Sequence, residues 1–107
     1  MALSTTLTTA ASGLRATSVR ASSAANNIVN INTPGFEAST LSQQTVYSGS
    51  NPGGGTAVEA QLIGSGLAPD LGQELTTLIE AETVYRANAE VFRTASELSR
   101  RTLDALA

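Results

Sequence analysis

The chain reads as mainly α: a long antiparallel helical hairpin or coiled coil made by its two ends, with a short middle segment able to form a β-hairpin. Three observations carry that expectation. Heptad-spaced apolar and small residues run from Leu3 to Ile31. A capping residue, Asp70, opens a second periodic run that continues nearly to Ala107. Between the two runs the sequence is dominated by Ser, Thr, Gln and Gly. The implied division is 1–36, an N-terminal helix and turn; 37–69, a loop with a short β element; and 70–107, a C-terminal helix.

In the first segment Leu7, Leu14, Ala21 and Ile28 are spaced by seven. Leu3, Ala10, Thr17, Ala24 and Ile31 form a second row offset by three. Together they describe an a/d seam. Much of it is Ala, so a partner helix must come close. The other side carries Ser4, Ser12, Ser22, Ser23, Asn26, Asn30, Val19 and Arg15. Two readings fit so charge-poor a face: a solvated surface, or one buried against neighbouring subunits, where small uncharged groups cost little to desolvate. Gly13 weakens a helix by about 1 kcal/mol relative to Ala, which suggests help from packing.

The run ends in Ala25-Asn26-Asn27-Ile28-Val29-Asn30-Ile31-Asn32-Thr33-Pro34-Gly35-Phe36. Asn30 and Asn32 suit a helix end, because Asn tolerates the left-handed conformation and can bond orphan carbonyls. Pro34 presets φ at the second position of a turn, and Gly35 supplies the positive φ that a type II turn needs at the third.

The middle segment is less regular. Ser48 to Gly55 reads as a flexible loop. Thr56 to Ile63 alternates and predicts a strand, pairing with one around Gln44 to Tyr47. Two strands alone are marginal in water, so this part is expected to be mobile or docked. Gly64-Ser65-Gly66 and Pro69 mark a second linker.

Asp70 with Gln73 has capping-box spacing. The helix that follows spans about 50 Å. From Glu82 onward it is two-faced. Glu82, Arg86, Glu90, Arg93, Glu97, Arg101 and Asp104 form a charged stripe, with Glu82–Arg86 and Glu97–Arg101 in the favoured acid-first order. Val84, Tyr85, Ala87, Val91, Phe92, Ala95, Leu98, Leu103 and Leu106 cover an arc of about 160°. That is wider than one partner helix needs. Leu71, Leu75, Leu78 and Ile79 surround much of the first turns, so this helix should touch more than one neighbour. Asn88 lies within the apolar arc, where a buried Asn either fixes register or is simply tolerated at a helix contact.

Composition narrows the function. With two Phe, two Tyr and no Trp, large core-forming side chains are few. There is no Cys and no His, which excludes disulfides, thiolate or imidazole metal sites and Ser-His-Asp chemistry. Glu80 and Glu82 point about 160° apart on a helix and make no carboxylate pair. The expectation is a non-enzyme with no cofactor, metal or small-molecule substrate. Charge is uneven: Arg15 and Arg20 stand alone in 1–36, whereas 70–107 holds seven acids against four Arg. That contrast favours pairing of the two helices. Without a basic patch, nucleic-acid binding is not expected. No apolar run approaches the roughly 18 residues of a membrane span. Met1 to Ser4 lacks the basic start of a cleaved secretory signal.

The stretch Ala25 to Phe36 resembles the N-terminal signature of bacterial flagellar rod and hook axial proteins, usually Ala-Asn-Asn-(Ile/Leu)-Ala-Asn-x-Asn-Thr-Pro-Gly-(Phe/Tyr). Ala11-Ser12-Gly13-Leu14 is similar too. So are Asp70-Leu71, Glu74-Leu75, Leu78 to Ala81, Tyr85, Ala87-Asn88-Ala89, Val91 and Arg93-Thr94-Ala95 in the C-terminal helix. Val29 replaces the usual Ala, and Glu82 the usual Gln. The middle of about 33 residues is short, more like a proximal-rod subunit or a small rod-like paralogue.

The resemblance implies a structural axial subunit of the flagellar basal-body rod. Such a subunit polymerises through its terminal helices and transmits torque across the periplasm. Its partners would be neighbouring rod subunits and the type III export apparatus, with export requiring no cleaved signal. Asn26, Asn27, Asn30, Asn32, Pro34, Gly35, Phe36, Tyr85, Asn88, Val91, Phe92 and Arg93 become the motif and assembly positions. The turn would end the inner helix and aim the chain outward, with Phe36 pinning the exit. The competing reading is a non-flagellar helical-hairpin adaptor or secretion-system assembly protein working as a small oligomer.

Overall fold

A computed structural model of the chain describes residues 2–47 and 56–106. Four elements follow in order: helix α1, Ala2–Val29; strand β1, Ser39–Tyr47; strand β2, Thr56–Gly64; and helix α2, Leu71–Leu106. The loop expected over Ser48 to Gly55 lies outside the described residues. The chain is elongated. Its radius of gyration is 17.5 Å and its extents are 62 × 29 × 14 Å, against about 13 Å for a compact chain of this length.

The two helices form the expected antiparallel hairpin. Gly13 meets the Asn88 side chain, and Asn27 bonds to Glu74. Both pairs of positions are separated by two heptads on their own helix, so one register serves the whole seam. The seam is made of small residues. The buried apolar side chains among the described residues are all Ala: Ala10, Ala16, Ala24, Ala38, Ala81 and Ala95. Among the residues whose burial is described, Leu, Ile, Val, Phe and Tyr are all at least partly exposed.

One expected row is displaced. Ala10, Thr17 and Ala24 are buried as the second heptad row. The row paired with it at the seam contains Gly13 and Asn27, not Leu7, Leu14, Ala21 and Ile28, which are only half-buried on the flank. Small residues let the backbones approach, and a row of Leu would hold them apart.

The strands pair antiparallel, with Ser39 opposite Gly64 and Tyr47 opposite Thr56. β1 begins five residues before the expected Gln44. Its polar start carries no alternation signal, but its base is fastened from outside. Ala38 N–H donates to Leu67 O and Ser65 N–H to Ala38 O, both at 2.9 Å. The hairpin docks on α1, and among the described residues its strands make no backbone-level contact with α2. Val58 N–H donates to Ser12 Oγ at 3.1 Å, and Arg20 Nη2 donates to Gln43 Oε1 at 2.6 Å. Part of the charge-poor face of α1 is therefore covered by the chain's own hairpin. Arg15, Val19, Ser22 and Asn26 stay exposed.

Asp70 caps α2 by accepting a hydrogen bond from Gly72 N–H at 3.1 Å. The charged stripe differs in detail from expectation. Glu82 pairs with Arg86 at 2.8 Å. Glu97 turns back to Arg93, at 3.7 Å, rather than forward to Arg101. Arg93 is drawn into that position by Glu90 at 2.6 Å. Among the described residues no ion pair joins α1 to α2. The expected charge attraction between the helices is not realised, because Arg20 reaches the hairpin and Arg15 stays exposed.

Candidate assembly site: the asparagine hub, the turn and the helix seam

Asn27 is the largest fully buried side chain, at 1% exposure. A buried amide costs free energy unless its donors and acceptor are used. Here they are used. Asn27 Nδ2 donates to Ser39 O at 2.9 Å and to Glu74 Oε1 at 3.1 Å. Asn27 Oδ1 accepts from Ser39 N–H at 3.0 Å. The amide thus pairs with Ser39 as a neighbouring strand would, and also holds α2. Ser23 Oγ donates to the same Ser39 carbonyl at 3.2 Å. One residue ties α1, the base of β1 and the first turn of α2 together.

The turn follows directly. Asn26 O accepts both the Asn30 backbone N–H at 3.2 Å and Asn30 Nδ2 at 2.9 Å, so the Asn30 side chain reinforces the last turn of α1. Thr33 Oγ1 donates to Asn30 Oδ1 at 3.2 Å. No described residue other than Gly has positive φ, so Asn30 and Asn32 end the helix without the left-handed conformation expected of them. The side-chain bond to Asn26 and a further turn, Thr33 N–H to Asn30 O at 3.0 Å, do that work instead. Phe36 N–H then donates to Thr33 O at 3.2 Å around Pro34 and Gly35, and Gly35 has φ of 75°. That is the type II geometry. Phe36 is half-buried; Asn26, Asn32, Pro34 and Gly35 are exposed.

Further along the seam, Gly13 gives Asn88 its space. A Cβ added at Gly13 would lie 2.8 Å from Asn88 Nδ2. Tyr85, Val91 and Phe92 flank this point and are 47%, 48% and 38% exposed. Arg93 lies on the solvent stripe between Glu90 and Glu97. Its hydrogen bond and then its charge hold the Glu90 carboxyl below the usual range, and the Arg93 guanidinium is raised in return.

The structure therefore separates the motif positions into two clusters. Asn26, Asn27, Asn30 and Thr33 gather at the end of α1. Asn88 and its neighbours sit about 20 Å along the hairpin axis. Two participants escaped the sequence reading. Ser39 has no local signal, because its role comes from backbone groups alone. Glu74 stood in a helix start, where an acid is usual for other reasons. The Gly13–Asn88 contact had a visible trace, since both residues disfavour an isolated helix.

A cleft of about 450 Å³ opens between the hairpin base, α1 and the first turns of α2, lined in part by Arg20, Ser39, Asp70, Gln73, Glu74 and Glu80. Among the described residues no group of acids is placed to hold a metal ion. Nor, among the described residues, is any helix long and apolar enough to cross a membrane.

The chain matches none of the curated proteins. Residues 7–36 match the family described as flagella basal body rod protein. The matched segment takes in α1 from Leu7, the Asn27 hub and the whole turn to Phe36. Over that segment the chain is similar to the flagella basal body rod protein family, which supports its membership.

Proposed function

We propose that the protein is a non-catalytic axial subunit of the flagellar basal-body rod, polymerising through α1 and α2 and passing motor torque across the periplasm. One observation carries this reading beyond the family match. The large apolar side chains of α2 are uncovered within the chain: Val84, Tyr85, Val91, Phe92 and Leu98 are 38–52% exposed. A core of alanines stabilises a free monomer little, at about 25 cal/mol per Å² of apolar area buried. Neighbouring axial subunits would supply the missing cover. The export apparatus delivers the chain, and the loosely held monomer suits passage in an unfolded form. In this reading the turn at Thr33–Phe36 directs the chain out of the helical layer, and Asn88 sets the register.

Deletion of the gene tests the role. Loss of filament assembly, restored by the wild-type gene, is the expected result. A motile deletion strain with no paralogue would sink the proposal. Asn88→Leu tests the register role: incorporation into basal bodies should fall more than helicity of the free chain. Unchanged incorporation counts against it.

A further inference from the structure

The two edges of the hairpin differ. In an antiparallel pair, alternate residues turn both backbone groups toward the partner strand, and the residues between them turn both away. Two contacts outside the sheet fix which are which. Ser39 donates its N–H to Asn27 and accepts from it at its C=O, so Ser39 points away from β2. Val58, opposite Thr45, donates its N–H to Ser12 and so points away from β1. The edge of β2 thus meets α1. On β1 the residues that point outward are Ser39, Leu41, Gln43, Thr45 and Tyr47. Beyond Ser39, no hydrogen bond among the described residues uses the backbone N–H or C=O of Leu41, Gln43 or Thr45. Such an edge is a template for another strand, and proteins usually blunt one with charge, Pro or a bulge. β1 has no charged residue, no Pro and no Gly, and it pairs without a bulge.

The open edge borders the cleft. β1 runs beside α1, with Ser39 at Asn27 and Gln43 at Arg20. The cleft of about 450 Å³ separates it from α2, and its walls include Leu41, Asp70, Gln73, Glu74, Thr77 and Glu80. A strand added at the usual spacing of about 4.8 Å from β1 would lie there. A residue paired with Leu41, Gln43 or Thr45 shares their face of the sheet. That face leans on α1: Ser39 and Leu41 are half-buried, Thr40 and Ser42 are exposed, and Arg20 bonds to the Gln43 side chain. The residues that pair with the edge therefore also turn their side chains into the cleft. There Asp70, Glu74 and Glu80 stand against one cation, Arg20, which is already bonded to Gln43.

We propose that this groove binds an extended segment of another protein by β-addition, with a Lys or Arg among the residues that pair with β1. Backbone bonds to Leu41, Gln43 and Thr45 supply the affinity, and the surplus of carboxylates selects the cation. A second copy does not offer such a segment. The chain has no Lys, and Arg15, Arg20, Arg86, Arg93, Arg100 and Arg101 all lie in α1 or α2. The groove is complete within one chain and does not depend on polymerisation.

The probe is a labelled, end-blocked peptide, Thr-Val-Thr-Arg-Thr-Val-Thr, whose two Val and Arg form the pairing series. One version is N-methylated at the two Thr that flank Arg, which blocks only its outer edge. A second is N-methylated at the two Val, which blocks the edge that meets β1. Composition and charge are the same in both. Fluorescence anisotropy with the full chain should show binding of the first and affinity about tenfold or more weaker for the second. The first peptide with Glu in place of Arg should be weakened as much. Thr45→Pro removes an edge donor without touching a bond to β2 and should also weaken binding. Equal affinity for the two methylated peptides, or none for the first at millimolar concentration, overturns pairing with the edge. Equal affinity for the Arg and Glu peptides overturns the basic occupant. Amide exchange at Leu41, Gln43 and Thr45 that is slow without peptide, and slower at higher protein concentration, would give the edge to a second copy and overturn the proposal too.

Discussion

Gly13→Ala sets two effects of known sign against each other at one point in the seam. Replacing a mid-helix Gly by Ala stabilises a helix by about 1 kcal/mol. Against that, the new Cβ would lie 2.8 Å from Asn88 Nδ2, 3.2 Å from its Cγ and 3.4 Å from its Oδ1. The whole amide is involved, not only its tip, so a small rotation does not clear it. Asn88 is half-buried and short, with little room to retreat. Overpacking of this kind costs roughly 1–3 kcal/mol. The net expectation is a loss of about 1 kcal/mol. In an Asn88→Ala background the obstacle is gone, and the same substitution should stabilise by about 1 kcal/mol. The coupling in the double-mutant cycle is then about 2 kcal/mol. Urea unfolding followed by far-UV circular dichroism, with an osmolyte to favour the folded hairpin, measures it. A Gly13→Ala gain of the same size in both backgrounds would refute the close approach at Asn88.

Other consequences are as direct. Asn27→Ala removes the amide from Ser39 and Glu74 and strands the Ser39 N–H, at a cost of about 2–3 kcal/mol. Hydrogen exchange should quicken at Ser39 and in the first turn of α2 together. Gly35→Ala meets nothing within 4 Å, so only the strain of φ at 75° opposes it. It should cost about 1–2 kcal/mol of turn stability, and Gly35→Asn distinctly less. Glu90 is held below the ordinary glutamate range by Arg93. Its contribution is therefore present above the unfolded glutamate value and is lost as pH falls through the lowered one. Carboxyl-carbon NMR titration should show the depressed midpoint, with return to the ordinary range in Arg93→Ala. Because both side chains are well exposed to solvent, the helix should not melt in that window.

The helices and the turn were legible in the chain because their causes are local. Heptad spacing, Asp70 as a cap, and Pro34 with Gly35 act within a few residues of themselves. The observed type II turn and the two long helices follow from them. So does the broad apolar arc of α2, which one partner helix leaves largely uncovered. Tertiary structure alone decided which heptad row of α1 meets α2. The leucine row was the stronger sequence signal, yet the seam is built where Gly13 and Asn27 permit close approach. Tertiary structure also placed the hairpin on Ser12, Ser23 and Arg20, extended β1 back to Ser39, and directed Arg20 to Gln43 instead of α2. These depend on backbone groups and on distances across the fold, which carry no local pattern. Asn27 joins the two kinds of knowledge. Its place in the motif could be read from the sequence, but its burial between Ser39 and Glu74 required a strand and a helix from elsewhere in the chain to converge on it.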